Sequence, residues 1–456
     1  MAACLRGGLP SAAPALRGLH PALGRRTRPD GRDPTLGGPM GFPTMYRVRQ
    51  RFDQQPAVSD LRGAVFAELE RIGLRARVRP GMAIAVGVGS RGVANLAPVT
   101  RAVLDRLKEW GAAPFLLPAM GSHGGATAEG QVRVLGTYGV TEEAMGVPIR
   151  SSMEVVELGV MPWGLPVLVD RIAASAEGIV LINRVKPHTN FSGEIESGLL
   201  KMLVVGLGKH RGAQLAHRAS VDISFNRMIP EIARFSLARL PVLCGVGLVE
   251  NARHETAAVR AIPPGALEEE EKALLTQARA LAPRIPFEFL HLLIVDEIGK
   301  DIAGTGMDPK VIGRMYLYPQ EEPKSPRYMR ILVRDLTART HGNAVGMGFA
   351  DFATRRLADK VDFKVTYTNS ITASSPARSK MPIILDTDRE ALDVALSTIG
   401  LTPPEQARVV RIRNTLALET FLASEALLEE VRANRALGIL GGAWTFTFDG
   451  TGALLD

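Results

Sequence analysis

Three histidines and one lysine near the middle of the chain carry side chains suited to proton transfer, metal binding or covalent attachment. They are His123, His188, Lys201 and His217. A histidine titrates near neutral pH, so it can take or give a proton, and its neutral imidazole also binds metal ions. Lys201 lies inside an apolar run, so it either extends its charge to solvent or is an amine available for covalent chemistry.

Glycine-rich segments surround two of the candidate residues. His123 lies in residues 121–125, of which three are glycine, so a ligand can approach the backbone closely. Arg91 lies in a glycine-rich turn before a helical pattern, where backbone N–H groups favour an anion. The turn matches neither the P-loop nor the GxGxxG spacing, so Arg91 is either a phosphate or carboxylate clamp or a surface arginine.

The spacing of the histidines limits the kind of metal site that the chain can build. His210 and His217 are seven residues apart, which is two helical turns and too far for both to bind one ion. The sequence has no HExxH motif, and Cys4 and Cys244 are its two cysteines. A conventional zinc site is therefore not predicted.

The candidate residues follow predicted strands. Apolar runs at 82–88, 114–120 and 178–183 predict buried strands, and helical patterns follow the first two. Alternating strands and helices indicate a mostly parallel α/β sheet. Because ligands bind at the carboxyl ends of such strands, the polar segments after these runs are expected to form one site.

The chain is predicted to contain two α/β domains, each with a mostly parallel sheet flanked by helices, with the active site in the cleft between them. Residues 45–265 form the cofactor-binding catalytic domain, residues 266–283 a helical connector, and residues 284–456 the second domain. Within the second domain the predicted strands are 291–298, 330–335 and 382–386, and the predicted helices are 389–399 and 418–432.

Composition excludes several classes of protein. No apolar run reaches the roughly 18 residues that a membrane-spanning helix needs. Two cysteines in 456 residues allow no disulfide framework, which suits the cytoplasm. Half of the net charge of +8 comes from residues 1–44, and no basic run is interleaved with aromatic residues, so nucleic-acid binding is not predicted.

Residues 1–44 are predicted to be a disordered tail, an organellar transit peptide or sequence upstream of the true start.

Taken in order, the candidate residues resemble the nickel-dependent lactate racemase family. The resemblance covers residues 79–217, while the C-terminal half fits only as a general second domain. The matching residues are Gly89-Ser90-Arg91, Gly121-Ser122-His123 with Thr127 and Glu129, Pro187-His188, Ser192-Gly193, Lys201, and Ala216-His217.

This resemblance implies a nickel-pincer nucleotide, a pyridinium-3,5-bisthiocarboxylic acid mononucleotide, attached covalently to Lys201. His217 would then bind nickel, and Ser90 and Arg91 would hold the cofactor, with Arg91 on its phosphate or on the substrate carboxylate. His123 and His188 would flank the substrate as acid and base. The enzymes of cofactor biosynthesis would be partners.

The predicted function is racemisation or epimerisation of a lactate-like 2-hydroxy acid, by hydride abstraction and return through the cofactor. Two alternatives stay open: a nucleotide- or phosphometabolite-binding module without metal chemistry, and a redox or dehydrating enzyme with the same cofactor. Lys300 either closes on the substrate or is a solvated turn lysine.

The sequence departs from the family pattern at two places. Val88 replaces the family's usual aspartate, and the 188–201 loop is longer than usual. These differences allow a larger or more polar hydroxy acid.

Overall fold

The computed structural model describes residues 41–52, 55–89, 92–318 and 320–455. Ser90 and Arg91 therefore lie outside the described residues, as do residues 1–40. The functional roles expected for Ser90 and Arg91, and the interpretation of residues 1–44, stay predictions.

Strands and helices alternate through most of the described chain. The strands are β1 (Met45–Gln50), β2 (Ala83–Val88), β3 (Ala113–Pro118), β4 (Val155–Val160), β5 (Pro166–Asp170), β6 (Gly178–Arg184), β7 (Val242–Glu250), β8 (Thr256–Ile262), β9 (Phe289–Ile298), β10 (Arg327–Leu336), β11 (Phe352–Thr354), β12 (Ile383–Leu385), β13 (Val409–Ile412), β14 (Thr420–Ser424) and β15 (Leu437–Trp444). The helices are α1 (Leu61–Arg71), α2 (Leu96–Glu109), α3 (Ala128–Gly136), α4 (Glu142–Met145), α5 (Arg171–Ser175), α6 (Leu199–Lys201), α7 (Lys209–Ala219), α8 (Phe225–Leu237), α9 (Leu267–Leu281), α10 (Pro309–Ile312), α11 (Arg355–Ala358), α12 (Phe363–Thr372), α13 (Asp388–Ser397) and α14 (Leu428–Ala433).

The first sheet carries the candidate site. Its strand order is β3-β2-β6-β7-β8, in which the first four strands are parallel and β8 is antiparallel. Strand residues alternate between two cores: Ile84 and Val86 pack on the side of α1 and α2, and Ala85 packs on the side of α8 and α9. Because both faces are covered, the strands read as continuous apolar runs, and the strands predicted in this region are confirmed.

The second sheet has the order β12-β11-β10-β9-β13-β14-β1-β15. It is parallel from β12 to β13 and antiparallel beyond that strand. β1 pairs with both β14 and β15, so residues 45–50 join the sheet of the C-terminal half although they begin the described chain. Such pairing of distant segments has no local sequence signal.

The helix predicted over 418–432 is wrong in its first half. Residues Thr420–Ser424 form β14, and the helix begins only at Leu428. Phe421 and Ala423 alternate into the core of the second sheet while the backbone pairs with neighbouring strands, so tertiary pairing overrides the helical pattern.

Residues Phe42–Asp456 form one compact unit that contains both sheets. The division into two domains with a cleft between them stays a prediction. No helix among the described residues combines the length and apolarity that a membrane crossing requires.

Candidate active site

A cavity of about 280 Å³ opens at the carboxyl ends of β2, β3 and β6. His123, His188, Lys201 and His217 all line it. The structure thus brings together four side chains that lie in four separate segments of the sequence. This is the edge of a parallel sheet at which ligand sites occur, and the volume is close to the roughly 300 Å³ at the lower end of ordinary ligand pockets.

His123 lies in the glycine-rich loop that follows β3. Gly124 has a φ of +65°, and a Cβ there would lie 2.5 Å from the carbonyl carbon of Gly130, so only glycine fits. Thr127 then caps α3 by accepting a hydrogen bond from the Gly130 N–H at 3.0 Å. The tight turn and the cap together present the half-buried His123 side chain to the cavity.

His188 lies in the loop 186–198, which we call the His188 loop. Two backbone hydrogen bonds between Lys186 and Ser197, of 2.9 and 3.2 Å, close its base. The buried carboxylate of Glu196 accepts the backbone N–H of His188 from inside the loop. A closed loop with an internal carboxylate fixes the position of the histidine backbone.

The two ring nitrogens of His188 have different partners. Nδ1 accepts a hydrogen bond from the backbone N–H of Asn190 at 2.9 Å, and Nε2 lies 2.6 Å from Nζ of Lys201. Burial, and next the positive charge of Lys201, hold the pKa of His188 well below its usual range. The ring is therefore neutral near pH 7.

Lys201 ends the short helix α6, and the chain continues in a π-helical turn, Met202–Gly206. The amide groups of Leu199 and Leu200 at the start of α6 donate to one carboxylate oxygen of Glu271, at 2.8 and 2.9 Å. Burial raises the pKa of Glu271 to about 7, although these two hydrogen bonds act in the opposite direction. A side chain of α9 thus anchors the helix that carries the lysine.

His217 lies on α7. Its ring meets the edge of Phe225, with ring centroids 5.6 Å apart and planes at 81°. Burial, and then the charge of Lys201, lower the pKa of His217 to about 4. The ring is therefore the neutral form that binds metal ions.

Packed aromatic rings connect His188 with His217. His188 stacks on Phe191 at 4.5 Å between centroids, and Phe191 stacks on Phe225 at 4.9 Å. Phe225 in turn contacts His217. Phe191 is fully buried, so this row of four rings is a rigid part of the core rather than a surface arrangement.

Three buried residues that support the site were not predicted from the sequence. Glu196 holds the His188 loop from within, and the guanidinium of Arg378 donates to the Asn190 side-chain oxygen at 2.7 Å. No local signal marks either residue. Glu271 could have been found, because it falls on the apolar face of α9 between Leu267 and Leu274.

Lys300 does not line the cavity that His123, His188, Lys201 and His217 share. Its ammonium donates to the carbonyl of Gly304 and to Oδ1 of Asn369, each at 2.7 Å. Gly304 lines the cavity, while Lys300 itself is not among the lining residues. Its role in substrate binding stays a prediction, as do the roles of Ser90 and Arg91, which precede the described Gly92.

The lining of the cavity is cationic. Among its described residues are Arg184, Lys186 and Lys201, and none of the described lining residues carries a carboxylate. Arg184 forms an ion pair with Glu250. Such a lining favours an anionic ligand. No group of three or more His, Cys, Asp or Glu side chains in the described parts of the chain is arranged to hold a metal ion by itself.

Comparison with known proteins finds a family match in the N-terminal part of the chain. Residues 67–227 match the family model of the lactate racemase N-terminal domain. Among solved structures the chain is similar to the lactate racemase apoprotein from Thermoanaerobacterium thermosaccharolyticum, with a TM-score of 0.48 and 14% identity, covering 79% of this chain and 93% of that one. It is also similar to a protein from Thermotoga maritima, with a TM-score of 0.43 and 13% identity, covering 58% of this chain and 69% of that one. No curated protein matches the chain.

Proposed function

Because residues 67–227 match the family model of the lactate racemase N-terminal domain, we propose that this protein is a racemase or epimerase of a 2-hydroxy acid that uses a nickel-pincer nucleotide. The observation that carries the proposal is the convergence of His123, His188, Lys201 and His217 on one cavity. These are the four residues for which the resemblance implies chemistry. The cytoplasm is the proposed location, since the chain has two cysteines and no disulfide framework.

The residues present fit the cofactor in two respects. Lys201 places an amine in the cavity, as covalent attachment requires, and His217 offers a neutral imidazole in the same cavity. A nickel ion whose other donors belong to the nucleotide needs one protein ligand, so a cluster of several protein ligands is not required. The cationic lining suits both a nucleotide phosphate and a substrate carboxylate.

The bound cofactor would supply the acceptance and return of hydride at the α-carbon. The protein's part is to handle the hydroxyl proton and to orient the substrate. His188, neutral near pH 7, takes that proton from one enantiomer, and His123 takes it from the other. Each histidine then returns a proton in the opposite direction, because racemisation runs both ways through the same groups.

The deciding experiment is the intact mass and nickel content of protein co-expressed with the enzymes of cofactor biosynthesis. We expect a mass adduct and about one nickel per chain, with both lost in Lys201→Ala and only nickel lost in His217→Ala. Lys364→Ala, at an exposed position of α12, is the matched control and should keep both. Loaded protein would then be assayed for exchange between the enantiomers of 2-hydroxy acids.

Other outcomes identify other functions. An adduct without nickel, or ligand binding that survives His217→Ala, would indicate a binding module. Release of a free 2-oxo or unsaturated acid without exchange of enantiomers would indicate a redox or dehydrating enzyme. Absence of adduct and nickel together would overturn the proposal.

A further inference from the structure

A fully buried ion pair lies behind the cavity, outside the residues already given a role. Nζ of Lys209 lies 3.0 Å from a carboxylate oxygen of Asp170, and both side chains are completely buried. The other oxygen of Asp170 accepts the N–H groups of Ile172 and Ala173 at 2.7 and 3.1 Å. The carboxylate is therefore held in place by the start of α5 while it faces the lysine.

The ammonium of Lys209 also reaches the loop that carries His123. It donates to the carbonyl of Pro118 at the end of β3, at 2.7 Å, and to Oε1 of Gln131 at 3.0 Å. Gln131 is fully buried as well, and its Nε2 donates to the carbonyl of Gly121 at 2.8 Å. An unbroken chain of polar contacts thus runs from Asp170 through Lys209 and Gln131 to the residue two positions before His123.

The same lysine is the first residue of α7, the helix that carries His217. Its backbone has a φ of +53°, a left-handed conformation that residues other than glycine adopt at a cost in free energy. The surrounding contacts must therefore compensate for this conformation. One buried amine joins the start of the His217 helix to the loop of His123.

A purely structural account of this pair is weak. Burying two charges costs so much desolvation free energy that a buried ion pair is often no more stabilising than apolar residues of the same volume. Such a pair can instead specify a unique arrangement of the segments it joins. Here those segments carry two proposed site residues, His123 and His217. The polar network is fully enclosed, which makes its geometry strict.

We propose that Lys209, acting through Gln131, is a positioning residue that sets the distance and orientation of His123 relative to His217. The inference rests on the proposed function only for its effect on activity. The placement of the two rings is a property of the unloaded chain and can be measured separately.

Gln131→Glu tests the link with little change in shape. The new carboxylate still accepts from Lys209, but it no longer donates to Gly121 and places an oxygen against that carbonyl. We expect the His123 ring signal in a ¹H–¹³C spectrum of histidine-labelled protein to shift or broaden, while the His217 signal stays. In loaded enzyme kcat should fall about 10- to 100-fold with little change in KM, the size expected for a small misplacement.

The double variant Lys209→Met with Asp170→Asn removes both buried charges together, so neither is left unpaired. We expect both histidine signals to move. The matched control is Arg334→Met with Asp388→Asn, which removes a buried ion pair of 2.9 Å between β10 and α13 and should lower the melting temperature without moving either signal. If Gln131→Glu and the Lys209 double variant lower only the melting temperature, the pair is structural and the inference is wrong. If wild-type protein shows no racemase activity but the signals move as described, the inference stands and the proposed function fails.

Discussion

Nε2 of His188 lies 2.6 Å from Nζ of Lys201, the last residue of α6, which follows the His188 loop directly. Nδ1 of the same ring already accepts the Asn190 N–H, so the ring turns its other nitrogen to the amine. The two side chains proposed for proton transfer and for cofactor attachment are therefore in direct contact before any ligand binds. A change at one of them is expected to alter the other.

Replacing Lys201 with methionine should raise the pKa of His188. The positive charge of the amine is the second largest cause of the lowered pKa, and burial, the largest cause, remains in the variant. The pKa should therefore rise but stay below the ordinary value of 6.5. An NMR titration of the His188 ring in the unloaded chain measures this, with Lys364→Met, at an exposed position of α12, as the control that leaves the titration unchanged. An unaltered His188 titration in Lys201→Met would contradict the contact.

His217 should remain neutral until the pH is close to 4. The unfolded chain binds this proton near pH 6.5, whereas the folded chain binds it only near 4. Stability is therefore lost as the pH falls from 6.5 towards 4, and this residue's share is about 3 kcal/mol. Denaturant unfolding of wild type and His217→Gln at several pH values measures the difference. Equal dependence on pH in both proteins would show that the ring titrates normally.

The titration of Glu271 should change stability with pH in the direction opposite to that of His217. Its pKa is about 7 in the folded chain against an ordinary 4.5, so the folded chain binds the proton more tightly. The stability it contributes is present below pH 4.5 and is lost as the pH rises through 7, by about 3 kcal/mol. Glu271→Gln cannot titrate and should lack this loss. The comparison of unfolding free energies at pH 5 and pH 8 tests the prediction, and parallel curves for the two proteins would refute it.

Phe191→Leu should separate the placement of the histidines from the stability of the core. Loss of the ring removes the stacking of Phe191 on His188 and on Phe225, while the smaller but apolar leucine costs about 1–2 kcal/mol of stability. We expect a lower kcat with the cofactor adduct retained. Phe287→Leu, which removes a buried ring from an edge contact with Phe421 in the second sheet, is the control. It should cost similar stability without changing kcat, and equal kcat values for the two variants would contradict the role of the ring row.

The first sheet could be predicted because its strands are buried on both faces. Residues 84–88 are apolar at successive positions, and such runs followed by glycine-rich turns indicate parallel strands regardless of the rest of the fold. The helix predicted over residues 418–432 was wrong at residues 420–424 because the local pattern there does not distinguish a helix from a strand. The apolar residues of this segment also fit a helical period, and only pairing with β1 and β13 selects the strand.

The residue types and their order by themselves determined which side chains can do chemistry here: the three histidines, the lysine, and the loops after strands that present them. Tertiary structure alone decided the pKa values and the orientations of those side chains. Glu271 and Arg378 reach the site from other segments, whereas Glu196 lies in the His188 loop and Lys209 begins α7. The effect of all four depends on burial and on distances that no local pattern encodes. The physical reason is that chemical capacity belongs to a side chain, whereas its pKa and orientation depend on neighbours that only the folded chain brings together.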